Sequence, residues 1–166
     1  LQVGHREVRM MVFEDENTTL EELDKAMNAN WEGYEELREK ALSAPKYGND
    51  DNYVDSIAVE VSNYYYREIR KYKDIFGSSF NSAFMGISNY IPAGKIVGAT
   101  PCGRKAEMPL TEGVSPFAGS DINTPLSAMR SAAKVNHDVH TGGTLLNLRL
   151  SGDMLKADRG LRNLAS

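Results

Sequence analysis

The sequence contains one cysteine, Cys102, in 166 residues. It therefore closes no internal disulfide and supplies no all-cysteine metal site, and a reducing compartment is expected. No apolar run approaches the roughly 18 residues of a membrane span, so no membrane partner is expected. A basic excess is also missing: 19 Lys and Arg stand against 23 Asp and Glu, for a net charge of −4. General nucleic-acid binders carry the opposite balance, so nucleic acid is not an expected partner. Internal repeats, low-complexity tracts and a signal-peptide pattern are absent. An initiating Met is absent too: the chain opens Leu1-Gln2-Val3 and stops inside the helical pattern of Gly160 to Ser166. Both ends read as cuts, and an internal piece of a longer protein is expected. What remains is ordinary globular composition, 41% hydrophobic with 14 glycines.

Residues 8–13 lean toward a strand. Thr19-x-x-Glu22 is a capping-box pattern, and Leu20, Leu23, Met27, Trp31, Tyr34, Leu37 and Ala41 follow at spacings of three and four. One helix over 19–43 is expected, ended by Pro45. Asp50, Asp51 and Asn52 are suitable N-caps for a second helix over 53–73. Residues 83–91 read as a buried strand broken by Pro92-Ala93-Gly94, and 95–99 as a shorter one. The Pro- and Gly-rich stretch 101–124 reads as a long ordered loop. Thr124-Pro125 opens a third helix to about 135, residues 144–150 form a strand, and Ser151 caps a last helical segment. Alternating helices and strands point to an α/β arrangement with a largely covered sheet. The strands are too few for a complete barrel.

Each candidate for chemistry has a plainer reading. His137 and His140 could chelate a metal, but they lie past the expected helix end without a third ligand, and read as loop histidines. Gly142-Gly143-Thr144 lacks the Lys-Ser/Thr of a phosphate loop and reads as a turn feeding a strand. Cys102 sits in a Pro-x-Gly turn; Arg104 and Lys105 could activate its thiol, but it reads as a turn residue. Asp50, Asp51 and Asp55 could pair as carboxylates, though capping accounts for the first two. Tyr64-Tyr65-Tyr66-Arg67 with Arg70 and Lys71 mixes aromatics and bases, yet helical neighbours diverge. These residues alone compose no complete catalytic constellation.

Three blocks change that reading: Ala44-Pro45-Lys46-Tyr47-Gly48-Asn49-Asp50-Asp51, Gly98-Ala99-Thr100-Pro101-Cys102-Gly103-Arg104-Lys105, and Gly142-Gly143-Thr144-Leu145-Leu146-Asn147. With Gly113-Val114-Ser115-Pro116 and Ala133-Lys134-Val135-Asn136-His137, they resemble the pyruvate formate-lyase-like glycyl radical enzymes. The resemblance runs from about Thr18 to the last residue. It implies an α/β fold: residues 1–166 would be part of one ten-stranded β/α barrel domain, cut at both ends. It implies an enzyme of anaerobic metabolism in the cytoplasm that breaks C–C, C–O or C–N bonds in a small-molecule substrate. Formate C-acetyltransferase is the alternative activity, and a non-catalytic module keeping the barrel is the alternative of another class. It also implies a glycyl radical, a homodimer at full length, and a partner activating enzyme that uses S-adenosylmethionine and an iron–sulfur cluster. The family's catalytic cysteine lies in a Gly-Cys-x-Glu-like motif and its radical glycine in Arg-Val-x-Gly-Tyr; neither motif occurs here. This piece would fall between the two, with no catalytic residue, directly bound cofactor or metal ligand of its own, and would be inactive alone. Cys102 stands where most relatives have Asp or Asn. The strand before its turn lines the family's substrate cavity. Alternation then puts Met85, Ile87 and Asn89 on one face, and the resemblance implies that Met85 and Ile87 point toward the cavity, with all three as substrate-binding residues.

Overall fold

The computed structural model describes residues 5–15 and 18–150. The expected end segment after Ser151 lies outside them. Among the described residues there are six α-helices: α1 His5–Val8, α2 Leu20–Asn28, α3 Glu35–Ser43, α4 Asn52–Ile69, α5 Tyr90–Ile96 and α6 Pro125–Ala133. None is long and apolar enough to cross a membrane.

The strand expected over 8–13 is instead a wide π-helical turn, Arg9–Glu14, continuing α1. It carries Met11 into the main core with Leu23, Ala26, Trp31 and Ala41. Burial of Met11 against two helices outweighs a weak strand preference.

The helix expected over 19–43 is broken. Asn30 and Trp31 both take left-handed backbone angles (φ 52° and 66°), and Gly33 follows at 78°. The break turns the indole inward, where Trp31 is fully buried and its Nε1–H donates to the Arg104 carbonyl at 3.3 Å. Asn30 Oδ1 accepts from the Ala106 N–H at 2.7 Å. Two long-range anchors therefore override the helical spacing. Thr19 caps α2 as expected, accepting from the Glu22 N–H at 3.1 Å, but the Glu22 carboxylate accepts from the Thr18 hydroxyl at 2.8 Å. That side-chain bond takes the place of the reciprocal half of the box.

Asp51 caps α4, accepting from the N–H groups of Tyr53 and Val54. Asp50 does not cap: its φ is 60° and its carboxylate pairs with Lys134 at 2.8 Å. Thr124 caps α6 with Pro125 in the first turn, as read from sequence.

The strand expected over 83–91 reduces to one parallel bridge, Phe84↔Thr144. Ile87 is left-handed (φ 49°), the Asn89 N–H turns back onto the Gly86 carbonyl, and α5 occupies 90–96 in place of the second short strand. Beyond Thr144 the chain carries no strand through Leu150. Among the described residues the only other β contact is the antiparallel bridge Lys73↔Ser79.

Candidate functional site

Three stretches distant in sequence meet beside the single parallel bridge. The Gly142 N–H donates to the Ser82 carbonyl, and the Phe84 N–H to the Gly143 carbonyl, at 3.0 and 2.9 Å. The Phe84 carbonyl accepts from Leu145, and the Leu145 carbonyl from Val114, both at 3.0 Å. Ser115 Oγ accepts from the Asn147 N–H at 2.8 Å. Glycine permits this approach. A Cβ at Gly113 (φ 55°) would overlap the Leu145 carbonyl oxygen and stand 2.8 Å from that of Phe84. A Cβ at Gly142 would stand 2.7 Å from Ala83 Cβ. At Gly143 (φ 103°) it would stand 2.8 Å from Met85 Sδ, so the thioether seats over the space where glycine has no side chain.

The two histidines do not converge. His137 Nε2 lies 2.8 Å from the Ala132 carbonyl, which only accepts, so this nitrogen carries the proton. Nδ1 then accepts from the Thr144 hydroxyl at 2.8 Å in the neutral ring. His140 is buried between two serines, with Nε2 2.7 Å from Ser62 Oγ and Nδ1 2.6 Å from Ser82 Oγ. Burial, and then His137 nearby, hold this imidazole below its ordinary pKa.

Arg104 organises the Pro-x-Gly turn. Its guanidinium donates to the carbonyls of Lys105, Met108, Val97 and Gly98, the last two just past the end of α5. This is a cation at a helix C-terminus, complementary to the carbonyls exposed there. Burial lowers its pKa and the Cys102 thiol nearby opposes that shift. Cys102 is buried, with Sγ 3.2 Å from Thr100 Oγ1. It sits under the turn, consistent with a turn residue.

Of two clefts, of about 520 and 560 Å³, only the second adjoins this turn, and both are lined by Tyr90, Leu110, Ala118 and Arg149. Asn147, Glu112 and Ser115 line the first; Arg38, Arg104 and Lys105 line the second. Met85, Ile87 and Asn89 line neither. They are exposed, with Ile87 71% and Met85 49% accessible. Because Ile87 departs from extended backbone, the three do not share one strand face.

A polar cluster missed by the capping argument joins α4 to α6. Asp55 is fully buried and accepts from Ser131 Oγ at 2.9 Å and Lys134 Nζ at 2.7 Å. Burial pulls the Lys134 pKa down, but its bonds to Asp50 and Asp55 outweigh this and hold the ammonium above its ordinary value. Asp50 is lowered, first by its hydrogen bond from Lys134. Tyr47, raised by burial and by the charge of Asp55, donates to the Val114 carbonyl at 3.0 Å. The Tyr47 bond, with those of Asn49 to Ser120 and Asn123, seats the 113–124 loop. The sequence signal was the same Tyr47-Gly48-Asn49-Asp50 block that carried the resemblance.

The sequence profile described as "Pyruvate formate lyase-like" matches residues 8–94, and that described as "Glycine radical" matches 110–166. Trans-4-hydroxy-L-proline dehydratase of Clostridioides difficile is 38% identical over 160 residues, 96% of this chain and 20% of that protein. Isethionate sulfite-lyase of Bilophila wadsworthia is 34% identical, over 95% of this chain and 19% of that one. The glycerol-bound B12-independent glycerol dehydratase from Clostridium butyricum superimposes with a TM-score of 0.89 at 37% identity. That match covers 98% of this chain and 21% of that chain. The chain thus spans about a fifth of the length of these relatives.

Proposed function

The chain belongs to the pyruvate formate lyase-like glycyl radical enzymes, and on that premise we propose that it is a wall-forming part of a radical dehydratase or lyase barrel. Two relatives named as dehydratases and one named as a sulfite-lyase support that reaction type. Nothing in them favours formate C-acetyltransferase. In this reading a glycyl radical, installed by an S-adenosylmethionine- and iron–sulfur-dependent activating enzyme, supplies hydrogen-atom abstraction through a cysteine. The residues of this chain supply shape. A homodimer and the activating enzyme are the partners that go with the proposal.

Met85, Ile87 and Asn89 are the substrate-facing residues. The observation that carries this is the wall behind them. Phe84 is tied at its N–H to Gly143 and at its carbonyl to Leu145, and Met85 Sδ is seated over Gly143. Met85 thus follows a pinned residue, and Ile87 stands exposed two residues further on. An apolar part of the substrate meets them: burial of such a group gains about 25 cal/mol per Å². An unpaired polar group facing only methyl groups would lose roughly 1–3 kcal/mol. Asn89, exposed in the turn that follows, offers an amide.

Ile87→Thr in the full-length activated enzyme tests this. Threonine keeps the β-branch and so the same backbone strain, and changes only the polarity of the surface. kcat/KM is expected to fall about ten- to a hundredfold, the range for a small apolar contact. Unchanged or improved turnover removes Ile87 from the substrate site.

A further inference from the structure

We infer that His140 is a positioning residue: held between Ser62 of α4 and Ser82, it fixes the 82–85 segment and so the placement of Met85. The inference rests on the substrate-wall reading for its kinetic consequence only.

The ring is 2% exposed and both nitrogens are engaged. A buried imidazole is tolerated only when so paired. A group that merely filled space would need neither bond. Ser62 is fully buried in the interior of α4, and Ser82 is buried at the start of the wall. One side chain therefore spans from a helix to the segment that carries Phe84 and Met85. Along that segment three bonds act together: His140 to the Ser82 hydroxyl, the Gly142 N–H to the Ser82 carbonyl, and the Gly143 carbonyl to the Phe84 N–H. His140 continues the chain of hydrogen bonds to α4 through Nε2, beside the Tyr65 ring of α4, whose centroid lies 6.0 Å from that of Phe84. The Phe84 ring packs on the imidazole at 4.5 Å between centroids, so displacement of His140 reaches Phe84 directly. His137 lies in the same turn. From α4 the Tyr66 ring meets the imidazole edge-on at 6.1 Å, with the Arg70 guanidinium 5.8 Å from the Tyr66 centroid.

The test uses the full-length protein, with amide exchange read on the 82–86 peptides and kinetics normalised to radical content. His140→Leu fills the space without the bonds. It is expected to speed exchange there at least tenfold. KM should rise roughly three- to tenfold, the scale of one hydrogen bond, with kcat within about twofold. His140→Asn, whose amide reaches Ser82 but not Ser62, is expected to recover much of both, because the freed Ser62 hydroxyl can bond within its own helix. Wild-type exchange in the Leu variant overturns the inference, as does faster exchange with unchanged KM while Ile87→Thr still lowers kcat/KM. Faster exchange reversed by Asn, with Ile87→Thr silent, upholds the clamp and rejects the wall reading instead.

Discussion

Ile87 is a β-branched residue at φ 49°, a conformation that costs roughly 1–2 kcal/mol for residues other than glycine. Its side chain is 71% exposed, so little burial offsets that strain. Ile87→Gly should therefore keep or raise the apparent Tm of the full-length protein while lowering kcat/KM, and thermal melts beside kinetics check the pair. Cys102→Asp belongs to the same scale. The Arg104 guanidinium is held by four backbone carbonyls, and a carboxylate at 102 would add a charged partner within the turn. We expect turnover within about threefold of wild type and a gain of about 1 kcal/mol in stability. A loss of roughly a thousandfold would mean that the thiol reacts. His140 carries a pH signature. Its folded pKa lies below the ordinary 6.5, first from burial and then from His137. The folded state thus binds fewer protons, and the stability linked to this group is complete above about pH 6.5. It is lost as pH falls from there through the lowered folded value. His140→Leu should flatten the decline of apparent Tm between about pH 7 and 5, whereas an unchanged slope would place the titration elsewhere. Some of this was legible from residue types. Asp51 and Thr124 are caps that neighbours dictate. The serine partners of His140 were not legible, because Ser62 and Ser82 lie 78 and 58 residues away and no local pattern links them.

Among the elements, those governed by local chemistry were legible and those decided by distant contacts were not. α4 and α6 follow from caps and apolar spacing. The break between α2 and α3 was signalled by Gly33 alone, since Trp31 fits the helical spacing it interrupts. Residues 83–91 alternate too little to oppose the left-handed Ile87 and the helix containing Pro92. Pro92 stands in the first turn of α5, where its missing N–H is harmless. The glycines of the wall give a graded prediction. Gly119, Gly143 and Gly113 all have positive φ, so alanine at each meets a backbone cost of about 1 kcal/mol or more. Nothing lies within 4 Å of a Cβ at Gly119. At Gly143 the flexible Met85 thioether must move, whereas at Gly113 the Leu145 and Phe84 carbonyls cannot. Loss of apparent Tm in the full-length protein should rank Gly119→Ala below Gly143→Ala below Gly113→Ala. Gly143→Ala should also raise KM, because Met85 is the group displaced. An equal loss at all three would leave backbone angle as the whole cause.

At the scale of the molecule, the family was legible because its blocks are the turns and tight approaches that hold distant segments together. The barrel rested on the resemblance alone, since a sheet needs neighbouring strands and among the described residues Phe84↔Thr144 is a lone parallel pair. Large apolar side chains also remain uncovered: Ile75, Phe76, Ile96 and Ile122 are all more than 80% exposed. Where such side chains adjoin, as Ile75 and Phe76 do along the chain, they mark contact surfaces or aggregation sites. The 166-residue piece alone should show no cooperative melt as a monomer, and should scatter light on warming; a sharp two-state transition of the monomer would contradict this. The bridge has one more consequence, in time. Tyr47 reaches Val114 across 67 residues, Asp55 reaches Ser131 across 76, and Ser82 reaches His140 across 58. Each link closes a long loop, whose entropy must be lost before its contacts form. During synthesis, α2 to α4 leave the ribosome well before the glycines that seat Phe84. The surface assigned to the substrate is thus assembled late.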